Sequence, residues 1–213
     1  CIRDSPSSVG NAHDCLYRWY SQNILGVRSI GGFNTLRGSS LHAGAASILT
    51  DCIEAGEKKF NITAAKDKAA QEVDDLTSKS EYIFEDFQTK ELAIDEAVEG
   101  VEVWHKDILT AIEIPEKVEI YSKAEIADGI TINGTADQVM SDGSIADIKT
   151  GAKKTTPNRH VMQLSIYQRL AHLEGAPENN KGQIQNVVYT SKGINSYILD
   201  VKLDYEYTRR VVD

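Results

Sequence analysis

The stretch Ile132-Asn-Gly-Thr-Ala-Asp-Gln-Val-Met-Ser-Asp-Gly-Ser-Ile-Ala-Asp-Ile-Lys-Thr-Gly151 decides the fold. It reads as two β-strands joined by a tight turn, with Asp137, Asp147 and Lys149 at set places. Ile145, Asp147 and Lys149 share one face of the second strand, and Ala146 and Ile148 point the other way. Asp147 and Lys149 therefore stand side by side, about 6.6 Å apart along the strand. Two registers are open. A two-residue turn at Asp142-Gly143 places Asp137 opposite Ile148, away from Lys149. A three-residue loop, Ser141-Asp142-Gly143, with glycine in the left-handed position, places Asp137 opposite Asp147. Two carboxylates facing each other across a ladder repel. A divalent cation between them turns that cost into a site, because hard cations take carboxylate oxygens. The bland alternative is a surface hairpin with solvated charges.

The 213 residues suit one domain, able to bury roughly 70% of its unfolded surface. Twenty-three Lys and Arg against 32 Asp and Glu give a net charge of −9. That balance excludes a protein that coats nucleic acid non-specifically, which rests on neutralising phosphates, but leaves room for a local basic groove. Cys1, Cys15 and Cys52 are an odd set without metal-ligand spacing, which fits free thiols in a reducing, cytoplasmic compartment. No apolar run approaches the roughly 18 residues of a membrane span, so no membrane partner is expected.

The N-terminal half, residues 5–113, reads as helical. Ser5-Pro-Ser-Ser8 is a capping signal, and the helix after it carries Cys15, Leu16, Tyr17, Trp19 and Tyr20 as a core-facing aromatic set. Residues 26–37 read as a loop. A second helix is expected from about Ser39, with Leu41, Ala45, Ile48, Leu49 and Cys52 as its apolar stripe. His42 lies beside that stripe. Residues 61–112 are mostly helical, and eleven acids between 72 and 102, against Lys79 and Lys90, read as a solvated face. From 117 to 203 the pattern changes to a strand at 117–126, the hairpin, a helix from Pro157 to about Glu174, and strands at 183–190 and 195–203. Met162, Ile166, Leu170 and Leu173 form the buried stripe of that helix, and a short helix is expected from Tyr205. The result is a single α/β domain over 1–213, with a core at 117–203 built on a central mixed sheet of about five strands flanked by helices.

Charge is unevenly distributed. From 148 to 173 there is no acid, while the same stretch holds Lys149, Lys153, Lys154, Arg159, Arg169, His160 and His172. An acidic metal site followed by basic residues fits a phosphodiester ligand, whose scissile phosphate the metal neutralises while the cations hold its neighbours. Here four elements carry a family resemblance: Leu36-Arg-Gly-Ser-Ser-Leu-His42, Gly134-Thr-Ala-Asp137, Ala146-Asp-Ile-Lys-Thr-Gly151 and Gln163-Leu-Ser-Ile-Tyr167. In order, they resemble the Gly-x-x-x-His, Gly-x-x-Asp, Asp-x-Lys-Thr-Gly and Gln-x-x-x-Tyr motifs of the PD-(D/E)XK nuclease superfamily. Within it, the chain is similar to the RecB-like exonuclease branch, which includes nuclease domains of bacterial recombination helicases and CRISPR-associated and phage exonucleases. The opening Ser-Pro-Ser-Ser…Cys15-Leu-Tyr-Arg18 resembles the start of that branch.

The resemblance implies a restriction-endonuclease-like core and a Mg²⁺- or Mn²⁺-dependent deoxyribonuclease, acting as an exonuclease in recombination, repair or phage and mobile-element DNA processing. His42, Asp137, Asp147 and the backbone carbonyl of Ile148 would hold the metal. Lys149 would orient the attacking water or stabilise charge on the phosphate. Gln163 and Tyr167 would position the DNA backbone or the metal-site residues, and Lys153, Lys154 and Arg159 are candidate phosphate contacts. The expected partner is DNA, single-stranded or at duplex ends, in a bacterial or phage-infected cell, and the reading is compatible with a homo-oligomer or a recombination partner protein. Some members carry a four-cysteine iron–sulfur cluster. Cys15 falls where its first ligand would lie, but no cysteine follows Cys52, so no such cluster is expected. The alternatives are a non-catalytic DNA-binding or assembly subunit with the same fold, an endonuclease of the superfamily, or an unrelated α/β protein in which His42 lies far from the aspartates.

Overall fold

A computed structural model describes residues 2–27 and 30–204. Along the chain come β1 (Ile2–Asp4), α1 (Pro6–Asp14), α2 (Leu16–Asn23), β2 (Gly31–Gly32), α3 (Phe33–Ala55), α4 (Ile62–Lys79), β3 (Tyr82–Ile83) and α5 (Lys90–Val103). A π-helical turn (Trp104–Leu109) extends α5. Then follow β4 (Lys117–Ala127), β5 (Ile130–Val139), β6 (Ile145–Gly151), a 3-10 turn (Pro157–Arg159), α6 (Val161–Leu173), β7 (Lys181–Thr190) and β8 (Gly193–Lys202). The Asn61 and Thr89 side chains cap α4 and α5 by accepting from the backbone N–H groups three residues on, and Gly56 closes α3 in the left-handed conformation.

The expected five strands form one mixed sheet, in the order β4-β5-β6-β7-β8, with β6 and β7 parallel and the other neighbours antiparallel. The short β1 adds a sixth, pairing parallel with Ile130–Ile132 of β5. Because β4 fills one edge of β5 along its length, β1 and β6 must share the other edge. They leave it unpaired between Ile132 and Gln138. This opening in the sheet is the main feature of the fold. Its last rung before the opening is fixed by Gln138 and Gln185, buried amides that exchange two 2.9 Å hydrogen bonds over β6.

Two layers cover the sheet. On one face Leu41, Ile48 and Leu49 of α3, Ala65 and Ala69 of α4, and Val101 and Trp104 pack on Ile148, Val187 and Tyr189. On the other, Leu164, Tyr167 and Ala171 of α6 pack on Ile145, Ile184 and Val201. The alternation read for β6 holds, with Ile145 facing α6 and Ile148 facing α3. Both faces are covered, so Ile145 to Ile148 are all buried, Asp147 included.

The turn selects the three-residue loop. Gln138 pairs with Ala146 and Val139 with Ile145, which continues to Asp137 opposite Asp147. Gly143 has φ +81°, and a Cβ there would lie 1.9 Å from the Pro177 carbonyl oxygen. Asn179 Nδ2 also donates to the Asp142 carbonyl at 2.8 Å, so the α6–β7 connection holds the turn. Gly143→Ala meets both backbone strain and a backbone collision. It is expected to cost roughly 1–3 kcal/mol, lowering Tm by several degrees in thermal denaturation.

Three expectations need correction. The aromatic set after Cys15 is not core-facing: Leu16, Tyr17 and Tyr20 are exposed and α2 has no buried residue. Cys15 is extended (φ −158°) and breaks the helix in two, and it is α1 that packs on α6. The second helix starts at Phe33 rather than Ser39, because Phe33 and Leu36 bury against Val73 and Ala93 of the neighbouring helices. The stretch 61–112 is mostly helical as read, with β3 between α4 and α5 pairing with β2. Leu173 is exposed at the end of α6. The helix expected from Tyr205 lies outside the described residues. Among the described residues no helix is long and apolar enough to cross a membrane.

Candidate metal centre at the opening of the sheet

Beyond Gln138 and Ala146 the strands part, and the Asp137 side chain takes the place of the ladder. Its Oδ2 accepts the Ile148 N–H at 2.8 Å. Through the same opening both helical layers reach the aspartates. From α3, His42 Nδ1 lies 3.3 Å from Asp137 Oδ2. From α6, Gln163 Nε2 donates to Asp147 Oδ1 at a long 3.4 Å. Lys149 Nζ sits 2.5 Å from Asp147 Oδ2. The Tyr167 ring is buried beneath the site, and its hydroxyl shares a hydrogen bond with Gln163. His42, Asp137, Asp147, Lys149, Gln163 and Tyr167 thus meet in one place, from four stretches of chain.

The glycines of the motifs have a steric role here. A Cβ on Gly38 would lie 2.7 Å from Thr150 Oγ1, so α3 can lie close on the end of β6 only without one. His42 is one turn further along α3, and this contact sets its height over Asp137. A Cβ on Gly134 would lie 2.8 Å from Pro6 and 3.0 Å from the Tyr167 ring, which together fill the unpaired edge of β5.

One site residue was not anticipated. Glu119 of β4 stands across from Asp137, between the pairs Val118 with Gln138 and Ile120 with Ala136, but leaves the ladder with φ +51°. Among the described residues no other non-glycine has positive φ, a conformation that costs of order 1 kcal/mol or more and clusters at functional sites. Donor atoms of His42, Glu119 and Asp137 all lie within 4.8 Å of one another. The one signal in sequence was a lone acid between Val118 and Ile120. It becomes informative only once the β4–β5 register is known.

The electrostatics are those of a crowded anionic site. Burial and the Asp137 charge push Asp147 up to about 6, although Lys149 opposes them. Burial and the same aspartates raise Glu119 to about 7, even though part of its side chain still meets solvent. Burial opposes charge on both His42 and Asp137, but their pairing prevails. The imidazole is raised, and Asp137, helped by the Ile148 N–H and Lys149, is held below the usual carboxylate range. Burial with the Lys149 and Arg159 charges brings His160 down to about 4 and keeps it neutral. Burial, then the two aspartates, push Tyr167 up to about 12.

Lys153, Lys154 and Arg159 are exposed on the segment after β6, the first two in the loop and Arg159 in the 3-10 turn. Lys154 Nζ lies 4.5 Å over the Tyr197 ring. The three carboxylates and the imidazole around the opening are hard or borderline donors and fit a divalent cation of the Mg²⁺ or Mn²⁺ type. Because the imidazole must be neutral to coordinate, loading would release its proton.

A sequence model described as the PD-(D/E)XK nuclease superfamily matches residues 3–202. The chain belongs to this superfamily. PD-(D/E)XK nucleases act on nucleic acid with divalent metals, which agrees with the donor set at the opening. Among solved structures, a putative exonuclease from Eubacterium rectale superposes with a TM-score of 0.66 at 13% identity, covering 99% of this chain and 77% of that one. At that identity the likeness speaks for the fold. The crystal structure of SSO0001 shares 27% identity over 57% of this chain and 62% of its own, with a TM-score of 0.33. No curated protein matches.

Proposed function

We propose that this PD-(D/E)XK nuclease is a Mg²⁺- or Mn²⁺-dependent DNA exonuclease. The observation that carries the reading is the convergence of His42, Asp137, Asp147 and Lys149 at the opening of the sheet, with Gln163 behind them. His42, Asp137, Asp147 and the Ile148 carbonyl hold the cation, with Glu119 beside them. When bound, the cation polarises a phosphoryl oxygen and acidifies a water. Lys149 supplies positive charge where the phosphate becomes more anionic. Gln163 and Tyr167 hold Asp147 in place, and Lys153, Lys154 and Arg159 hold phosphates on either side of the scissile one. DNA processing in recombination, repair or phage and mobile-element biology, in the cytoplasm of a bacterial or phage-infected cell, is the setting this activity fits. The exonuclease-like fold neighbour and the branch resemblance support action at ends.

The test is digestion of end-labelled linear single- and double-stranded DNA and of closed circular DNA with Mn²⁺, Mg²⁺ or chelator. The expected result is metal-dependent loss of linear DNA with the circle intact. Cutting of the circle would make the enzyme an endonuclease. DNA binding without turnover in any lane would leave a non-catalytic module.

A further inference from the structure

Asn186 ties the cleavage centre to the basic loop. It is 1% exposed and pairs in register with Lys149 on one side and Tyr197 on the other, so the three form a row across β6, β7 and β8. Paired residues of adjacent strands share a face, which here is the α6 face that also carries Asp147. Asn186 Nδ2 donates to the Lys149 carbonyl at 3.0 Å, and its Oδ1 accepts the Thr155 N–H at 2.8 Å. Thr155 Oγ1 is also 2.7 Å from His160 Nε2. The loop is therefore held at Thr155 from two sides, and the preceding residue, Lys154, lies over Tyr197. Tyr197 is 36% exposed on the edge strand.

Two exits from the centre differ in charge. On the α3 side, a cleft of about 630 Å³ starts at His42 and Glu119 and reaches Asp51, Lys68 and Glu72, so its carboxylates outnumber its one ammonium. Those carboxylates repel a phosphate chain. On the Asn186 side lie Lys154, Lys153 and Arg159, with an aromatic ring among them, and no acid occurs from 148 to 173. A cationic track with an accessible ring is the combination that binds single strands without sequence preference, because every unpaired base offers a π-face. A duplex keeps its base faces stacked inside.

We propose that Tyr197 is a base-stacking platform for a single strand of nucleic acid that runs from the cleavage centre over β7 and β8, with Lys154 as its phosphate partner. Lys154 covers the ring until the strand arrives, then moves to a phosphate while the base takes the ring. This surface rests on the nuclease reading for its direction but can be measured without turnover.

The test is binding of fluorescein-labelled oligo-dT, oligo-rU and a blunt duplex in chelator, by anisotropy. It uses wild type, Tyr197→Ala and Tyr197→Trp. Tyr197→Ala is expected to weaken single-strand binding by about 5- to 150-fold and leave the duplex unchanged. Tyr197→Trp is expected to restore binding, with its indole emission quenched when the strand is added, against the background of Trp19 and Trp104. A loss on either strand bears the platform out, and the larger loss identifies the sugar. Single-strand affinity within twofold of wild type for Tyr197→Ala, or an unquenched Tyr197→Trp at saturating strand, overturns it. The tryptophan arm stands even if the alanine variant does not fold. Wild type that hydrolyses DNA while Tyr197→Ala binds normally refutes the platform alone. Wild type that binds strands through Tyr197 but never hydrolyses them refutes the nuclease reading alone.

Discussion

Lys149→Ala is expected to leave a folded protein whose metal-dependent DNA hydrolysis is slower by about 10²–10³-fold or more, the scale seen when one group that stabilises transition-state charge is removed. The side chain is three-quarters buried and its ammonium lies 2.5 Å from Asp147 Oδ2. The fold can bear the loss, because Asp147 is already raised to about 6 and takes a proton more readily without the ammonium. Chemistry has no such substitute for an ammonium held against the Asp147 carboxylate. Lys153→Ala is the contrast: that lysine is exposed on the loop and would lower DNA affinity and the salt dependence of binding while leaving turnover of bound substrate nearly intact. Initial rates at saturating DNA, set beside Tm and circular dichroism for each variant, separate the two. A Lys149→Ala enzyme within tenfold of wild type would remove Lys149 from the catalytic role.

The contrast between these lysines could be drawn from sequence because local periodicity decides it. Alternation along 145–149 puts Asp147 and Lys149 on one face whatever the rest of the chain does, and the structure keeps them there. The register of the hairpin was open because Asp142-Gly143 satisfies two turn types equally well. The loop after α6 decides it, through Pro177 and Asn179, and no local pattern reports contacts some 35 residues away. Glu119 was missed for a related reason. In its own strand it reads as a solvent-facing acid, and only the β4–β5 register and a positive φ turn it toward Asp137. His42 carried little weight from its helix alone, because the Gly38–Thr150 contact that aims it joins two motifs over a hundred residues apart. The aromatic residues at 16–20 misled because an amphipathic pattern says that a face can be buried, and α1 had already taken the place on α6.

The second large effect concerns the energy stored in the centre. Asp147→Asn is expected to raise the Tm of the metal-free protein at neutral pH and to abolish its stabilisation by Mn²⁺. Asp147 is pushed up to about 6 by burial and by the Asp137 charge, from 3.8 when unperturbed. The folded state therefore binds this proton more tightly than the unfolded chain. The contribution to stability is fully present below about pH 4 and lost as pH rises through about 6, a swing of roughly 3 kcal/mol before screening. His42, whose pKa is raised, acts in the same direction, losing its contribution as its proton leaves. Asp137, held low, acts oppositely and only in more acidic solution. Glu119, raised to about 7, adds to this slope and His160, lowered to about 4, opposes it, so the readout is the difference between the proteins: the amide, which carries no charge to desolvate, should gain on metal-free wild type as pH rises from 4 to 7. A net gain of about 2 kcal/mol at neutral pH corresponds to a Tm higher by roughly 4–8 °C. With Mn²⁺ at a hundredfold over its dissociation constant, wild type should gain about 2.7 kcal/mol and the variant little, reversing their order. Thermal melts of both proteins across pH, with chelator or Mn²⁺, read all of this without DNA. If the metal-free variant is no more stable than wild type at pH 7, the repulsion between Asp137 and Asp147 is not stored in the fold. If Mn²⁺ stabilises both equally, Asp147 is not a ligand and the cation rests on His42, Glu119 and Asp137 alone.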